Sequence, residues 1–189
     1  GAPSPAYLLA HSDTASALTF LTGRSLPIVP LEDRRSLVFP NLENGAALYL
    51  SASQRTPAGD FLYRNFADSA IAQVPYPGNQ DAITIYRLAT TQLGRISAEG
   101  GLAKQSITLP FTMANGVQLL SYSISDKVRA GDKVQATLLW RLLPGDYDSL
   151  TEEYRFFNQV IDNRNRIWGQ DDGIGYEPRN WRSGDTVLS

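Results

Sequence analysis

The sequence of 189 residues has no cysteine, one histidine and one methionine. Without cysteine the chain can form neither a disulfide nor a thiolate metal site. With His11 alone it cannot build a metal site from several histidines. No residue is assigned as a metal ligand, and no cofactor is predicted. The lack of thiols is compatible with an oxidising compartment. Because Met113 is internal, we expect the chain to be part of a longer protein.

The chain also lacks a block of basic residues and a long apolar run. Its 17 basic and 19 acidic residues give a net charge of −2. No concentrated positive field is therefore available to collect phosphates, which argues against a nucleic-acid partner. No apolar run approaches the roughly 20 residues that cross a bilayer. A hydrophobic content of 42% is nevertheless sufficient for a buried core.

The first part of the chain alternates strand and helix signals. An apolar run at residues 7–10 predicts a strand, and a helix is predicted over residues 14–22. Residues 56–57, Thr-Pro, are typical of the start of a second helix. The buried side of that helix is predicted to consist of Phe61, Leu62 and Phe66. The order β-α-β-β-α-β predicts a small α/β domain over residues 1–92, with a partly parallel sheet.

The pattern changes after a glycine-containing linker predicted over residues 93–104. Residues 105–189 predict an antiparallel, immunoglobulin-like β-sandwich, because short strands follow one another at the spacing of that fold. The residues Asp162 to Asn165 predict a hairpin turn, and alternation places Trp140 in the core. A further alternating strand is predicted to bury Leu120, Tyr122 and Ile124.

Two groups of residues contain the side chains of hydrolases. Residues 11–13, His-Ser-Asp, are consecutive at a strand end and cannot readily form the hydrogen-bonded line of a triad. No G-x-S-x-G sequence is present. The acidic pairs at residues 152–153 and 171–172 leave a carboxylate-dependent glycoside hydrolase as an alternative, which requires two carboxylates roughly 5–9.5 Å apart. No catalytic residue is predicted.

Several oxygen-bearing side chains in the same region are possible calcium ligands. Their spacing does not match the regular calcium loop, because Arg164 interrupts the nearest candidate. A structural calcium ion therefore remains only an alternative. The residues are Asp146, Asp148, Asp162, Asn163, Asn165, Asp171 and Asp172.

Aromatic residues near the predicted loops are candidates for contact with a sugar, because an aromatic face packs against the apolar face of a sugar ring. Trp168, Trp181 and Tyr176 are the candidate ligand-binding residues. Together they form the basis of a second hypothesis, in which the chain is a carbohydrate-binding module.

Five segments of the second part carry a family resemblance. They are 115–122 (NGVQLLSY), 129–134 (RAGDKV), 137–141 (TLLWR), 162–166 (DNRNR) and 176–185 (YEPRNWRSGD). Together they resemble the C-terminal region of large polytopic bacterial membrane proteins of the GT-C, dolichyl-phosphate-mannose mannosyltransferase (family 39) type. The segments 7–29 and 83–88 are similar to the α/β piece that follows the last membrane span of such proteins.

The resemblance implies an extracytoplasmic domain, tethered to the membrane, in a parent that transfers sugars from a lipid-linked donor. The acidic catalytic residues of such enzymes lie in the membrane region, and no position here matches them. The implied partners are the rest of the membrane-embedded chain and a glycan or glycolipid. Because such proteins continue with two more strands beyond Ser189, we also expect an incomplete sandwich, whose unpaired edge would favour self-association.

Overall fold

The structure is a computed structural model of the whole chain. The residues that it describes are 6–9, 18, 20, 28–31, 35–41, 46–51, 56–75, 82–89, 92, 110–113, 116–125, 129, 131–144, 156–173, 176 and 180–189. These residues form a mostly β-sheet structure with open sheets and one short helix.

Twelve strands and one α-helix are present in the described part of the chain. The first six strands are β1 (Ala6–Leu9), β2 (Ile28–Pro30), β3 (Leu37–Phe39), β4 (Ala46–Ser51), β5 (Ala70–Pro75) and β6 (Ala82–Ala89). The others are β7 (Phe111–Thr112), β8 (Val117–Ile124), β9 (Ala136–Leu142), β10 (Phe156–Ile161), β11 (Ile167–Gly173) and β12 (Thr186–Leu188). The helix α1 (Pro57–Phe66) continues into a 3₁₀ turn (Ala67–Ser69). Within the described residues, no helix has the length and apolar character that a bilayer crossing requires.

The first sheet has the strand order β2-β1-β4-β6-β5. Strand β1 runs parallel to both β2 and β4, whereas β6 is antiparallel to β4 and β5. Strand β1 is buried along its whole length, as expected of a strand with a neighbour on each side and a short apolar sequence. The edge strand β5 is exposed along its whole length.

The helix α1 begins where the sequence predicts. The side-chain oxygen of Thr56 accepts a hydrogen bond from the backbone N–H of Gly59 at 3.1 Å, and Pro57 occupies the first turn, where its missing N–H has no cost. Leu62 and Phe66 are buried as predicted, whereas Phe61 is only partly buried and packs against the core. The other predicted helix, over residues 14–22, lies largely outside the described residues.

The second sheet has the order β3-β12-β9-β8-β7, and all its pairs are antiparallel. Strand β3 comes from the first part of the chain and pairs with β12 at the end of the chain. The predicted division into 1–92, a linker at 93–104 and 105–189 stays a prediction, but residues on both sides of that boundary share this sheet. Strand β12 pairs with β3 on one side and with β9 on the other. The last strand of the chain is therefore not an unpaired edge strand, contrary to what the sequence led us to expect.

A β-bulge interrupts the alternation of side chains along β8. The pairing of β8 with β9 shifts between Leu119 and Ser121, so the strand alternation is interrupted there. Val117 and Leu119 are buried, while Ile124 is half exposed. The prediction of one buried face through Leu120, Tyr122 and Ile124 is therefore wrong in two ways: Leu120 is the inserted residue and leaves this alternation, and Ile124, opposite Ala136 at the end of the strand, is exposed.

Aromatic residues connect the two sheets and the helix in one core. The Tyr7 and Tyr49 rings are stacked, with centroids 5.3 Å apart. The ring centroid of Phe39 on β3 lies 6.2 Å from that of Tyr49 and 6.3 Å from that of Phe66 on α1. Trp140 is also buried, as predicted. Strand β3 therefore packs against the first sheet while pairing in the second.

Candidate functional site

Strands β10 and β11 form a two-stranded antiparallel sheet of their own, which we call the arm (Phe156–Gly173). Every described side chain from residue 158 to residue 172 is exposed, except that of Asp162, which is partly buried. An isolated hairpin is marginally stable in water, and its exposed surface contributes little to a core. The arm is therefore well suited to contact another molecule.

The tip of the arm is a compact turn, as the sequence predicts. The backbone N–H of Asn165 donates to the carbonyl of Asp162 at 3.0 Å, and that of Asp162 donates to the carbonyl of Arg166 at 3.1 Å. Asn165 has φ of 59°, a left-handed conformation that asparagine tolerates. This is the geometry of a three-residue hairpin loop that closes with a left-handed residue.

The Asp162 carboxylate fixes this turn by accepting hydrogen bonds from four groups. Its Oδ1 accepts from the backbone N–H of Arg164 at 2.8 Å and from that of Arg166 at 3.0 Å. Its Oδ2 accepts from Nε of Arg166 at 2.7 Å and from Nε1 of Trp168 at 3.1 Å. The backbone N–H of Arg166 and then the Trp168 indole N–H lower the pKa of Asp162 from 3.8 to about 2.

We expect the hydrogen bond between Asp162 and Trp168 to persist in mild acid. Because the pKa of Asp162 is lowered in the folded chain, its contribution to the stability of the arm is complete above about pH 4 and is lost as the pH falls towards 2. The indole N–H resonance of Trp168, assigned with Trp168→Phe, should stay constant from pH 6 to about pH 3. A titration step near pH 4 would contradict this prediction, and the indole of Trp140, which donates to Ser189 Oγ, is the internal control.

Trp168 is the most exposed of the three tryptophans, with 69% of its surface accessible. Val160 pairs with Gly169 and Ile161 pairs with Ile167, so Trp168 has no partner on β10. Trp168 therefore occupies a β-bulge, which changes the direction of its side chain. The guanidinium of Arg166 lies 5.3 Å from the centre of the indole ring, within the range of a cation–π contact. Trp168 is therefore an exposed aromatic ring held in one orientation by Asp162 and Arg166.

The structure does not bring the other two predicted ligand-binding residues into this surface. Trp181 is 9% exposed and Tyr176 4%, and their rings stack on each other with centroids 6.2 Å apart. Trp181 Nε1 donates to the carbonyl of Tyr176 at 2.8 Å, and the Tyr176 hydroxyl donates to the carbonyl of Asn180 at 2.9 Å. Because these rings are covered by protein, Trp168 is the one candidate whose face can meet a ligand.

The arm changes character along its length. Four apolar side chains, all exposed, lie beside the turn: Val160, Ile161, Ile167 and Trp168. Among the arm side chains whose exposure the structure describes, those farther from the turn are polar or acidic: Asn158, Gln159, Gln170, Asp171 and Asp172. Arg35, which lies just before β3, forms an ion pair with Asp171 and so connects this polar end to the rest of the protein.

The carboxylates that the sequence raised as catalytic or calcium-binding groups do not converge in the described part of the chain. Asp171 and Asp172 are consecutive in β11, so their side chains point to opposite faces of the arm. Both oxygens of Asp162 are already occupied by protein donors. No group of three or more potential ligands is found among the described residues. Residues 11–13, Asp146, Asp148 and 152–153 lie outside them.

A buried carboxylate elsewhere is the polar feature that sequence reasoning missed. Asp185 is 2% exposed, and it accepts hydrogen bonds from the backbone N–H groups of Asn41 and Arg182, each at 3.2 Å. Burial raises the pKa of Asp185, and these two donors partly oppose that shift. Burial also raises the pKa of both Tyr7 and Tyr176.

These contacts give Asp185 a structural role. Its side chain holds the turn of residues 182–185 against Asn41, next to the pairing of β12 with β3. The repeated sequence Arg-x-Gly-Asp, at residues 129–132 and 182–185, is the signal that could have identified it. In both copies the aspartate accepts a hydrogen bond from the backbone N–H of the arginine.

Similarity to known proteins gives no further guide to the role of the arm. No protein-family model matches the chain, and neither a curated protein nor a solved structure was found to be similar to it. The role of the arm has therefore to be inferred from its own chemistry, which combines an exposed indole with a carboxylate, a guanidinium group and aliphatic side chains.

Proposed function

We propose that the chain is a non-catalytic, extracytoplasmic accessory domain of a membrane-bound glycosyltransferase-like protein, where it serves recognition or scaffolding. It is tethered to the membrane through the rest of its own chain, and the arm is its contact element. The resemblance of both parts of the sequence to the C-terminal region of such proteins supports this proposal.

The observation that carries the proposal is the contrast between the arm and the remainder of the described residues. Most aromatic and aliphatic side chains of the two larger sheets are covered, with exceptions on edge strands and strand ends such as Ile71, Phe111 and Ile124, whereas the arm exposes Trp168 in a fixed orientation. A ring that is already ordered loses little conformational freedom on binding. The described carboxylates, in contrast, are separated or engaged by protein donors. This arrangement favours contact over bond chemistry.

The placement of the domain is tested with the full-length gene product. A fusion of alkaline phosphatase after Ser189, which is active only outside the cytoplasm, should be active and should sediment with the membrane fraction. A matched fusion of a fluorescent protein that matures only inside the cytoplasm should stay dark. Cytoplasmic fluorescence, or recovery of the phosphatase fusion in the soluble fraction, would overturn the proposal.

The finer architecture is part of the same proposal. We take the first part as a small α/β unit and the second as an immunoglobulin-like sandwich. The parallel pairing of β1 with β2 and β4 supports the first assignment. The antiparallel order β12-β9-β8-β7 supports the second. Two facing sheets of about seven strands in an experimental structure of the second part would decide this assignment.

A second candidate function is carbohydrate binding, and the exposure of Trp168 favours it. The indole is flanked by the Asp162 carboxylate, whose oxygens are occupied by protein donors, and by the Arg166 guanidinium, which can donate hydrogen bonds to sugar hydroxyls. One ring with two polar neighbours is a small site, since Trp181 and Tyr176 are buried. If this candidate function is right, the fluorescence emission of Trp168 changes when a soluble oligosaccharide is added. This titration is the companion of the vesicle experiment described below.

A further inference from the structure

The exposed apolar side chains of the arm are concentrated at its tip. Ile161 and Ile167 face each other across the last rung before the turn, and Trp168 occupies the adjacent bulge. All three are at least half exposed. Large apolar side chains grouped at one end of an exposed hairpin are a signal of interaction, whereas isolated ones are normal on a protein surface.

The charged groups at the tip are positive on balance. Arg164 and Arg166 are exposed at the turn, and Asp162 is the one carboxylate between them. The hydrogen bonds to Asp162 satisfy both of its oxygens, so this carboxylate presents few free lone pairs to an approaching anion. The opposite end of the arm carries the carboxylates of Asp171 and Asp172. The arm is therefore apolar and basic at the tip and acidic towards its other end.

From this arrangement we propose that the tip of the arm docks into the interfacial layer of a lipid bilayer that carries anionic headgroups. Ile161, Ile167 and Trp168 enter the boundary between headgroups and acyl chains, and Arg164 and Arg166 pair with lipid phosphates. The docking deepens the proposed function and rests on it, because tethering to the membrane raises the effective concentration of the arm at the lipid surface to the order of millimolar.

The distribution of polarity fits a membrane surface better than a sugar. Tryptophan is enriched at the membrane–water interface, where its ring is apolar and its N–H polar, and arginine can bury its stem while its head stays with the phosphates. A sugar needs a free ring face and convergent polar groups, whereas Arg166 already lies over the Trp168 ring. Asp171 at the other end of the arm is paired with Arg35, but Asp172 has no cationic partner in the described part of the chain, and anionic lipids repel it, which limits the depth of insertion.

The tryptophan distribution provides a specific probe of this contact. Trp140 and Trp181 are buried, so a change in emission on addition of lipid reports mainly on Trp168. With vesicles of phosphatidylcholine and phosphatidylglycerol we expect a shift of the emission to shorter wavelength, and quenching by brominated acyl chains. The shift should be weaker with phosphatidylcholine alone and weaker at high salt. Trp168→Phe should abolish the spectral change.

Binding is then measured by co-sedimentation with the same vesicles. Trp168→Ala should weaken binding about tenfold, the equivalent of 1.4 kcal/mol, and Ile161→Ser with Ile167→Ser should have a similar effect. Arg164→Gln should weaken binding to the vesicles that contain phosphatidylglycerol, and should leave binding to the phosphatidylcholine vesicles unchanged. Ile71→Ser, which alters an exposed aliphatic side chain on β5, is the matched control and should bind as the natural chain does.

Three results would overturn the docking. They are an unchanged Trp168 emission with both kinds of vesicle, an equal loss of binding in the Ile71→Ser control, and a response of Trp168 to a soluble oligosaccharide but not to vesicles. The phosphatase fusion separates this failure from that of the proposed function. An active extracytoplasmic fusion combined with any of these results removes the lipid contact and leaves the accessory domain in place.

Discussion

Replacing Trp181 by alanine should reduce the free energy of unfolding by about 3–5 kcal/mol, the range for removal of a large aromatic side chain from a core. The ring is buried and stacked on Tyr176, and its N–H donates to the Tyr176 carbonyl. Truncation therefore creates a cavity and removes a hydrogen bond in the same place. Urea denaturation followed by circular dichroism measures the loss.

The control for this prediction is the same substitution at the exposed tryptophan. Trp168→Ala removes one hydrogen bond and a cation–π contact at the surface, so it should cost about 1 kcal/mol or less. Trp181→Phe retains most of the ring but not the N–H, and should lie between the two alanine variants. Equal losses in Trp181→Ala and Trp168→Ala would show that the burial of Trp181 against Tyr176 is wrong.

Gly184→Ala should be the second severe substitution, with an expected loss of about 3 kcal/mol or more. Gly184 has φ of +84°, which costs an L-residue roughly 1–2 kcal/mol. An added Cβ would also lie 2.9 Å from both Cβ and Cγ of Asn41, and closer still to its Nδ2. Overpacking of this kind adds about 1–3 kcal/mol. The loss is measured by urea denaturation.

The first copy of the Arg-x-Gly-Asp turn separates these two causes. Gly131 has φ of +93° at the equivalent position, but nothing lies within 4 Å of its added Cβ. Gly131→Ala should therefore reduce the free energy of unfolding only by the cost of the positive φ, about 1–2 kcal/mol. The double variant Gly184→Ala with Asn41→Ala should recover part of the stability that is lost through the steric clash with the Asn41 side chain. If the two glycine variants were equally stable, the close contact with Asn41 would not exist in solution.

Several features of the fold follow from short stretches of sequence. The start of α1 at Thr56 and Pro57, its buried Leu62, the turn at Asp162 to Asn165 and the burial of Trp140 are all confirmed. Each depends on hydrogen bonds or periodicity within a few residues, which the local sequence contains in full. The apolar residues at the tip of the arm are also close together in the sequence, but the sequence does not show that they are exposed.

The pairing of distant segments could not be predicted in the same way. Strand β3 is three residues long, and its sequence Leu-Val-Phe contains no information about a partner nearly 150 positions later. Residues on both sides of the predicted linker therefore meet in one sheet. The bulge at Leu119 and Ser121 is a further example, because the fit between β8 and β9 determines it.

The local sequence thus determined where strands, turns and the helix begin, because propensity and hydrogen bonding act between near neighbours. Only the tertiary structure decided which of the aromatic candidates is available to a ligand. Trp168, Trp181 and Tyr176 all lie near turns, yet two of them are covered by packing and one is presented by an arm. Burial is a property of what packs against a side chain, and for Trp181 and Tyr176 the sequence near them does not contain that information.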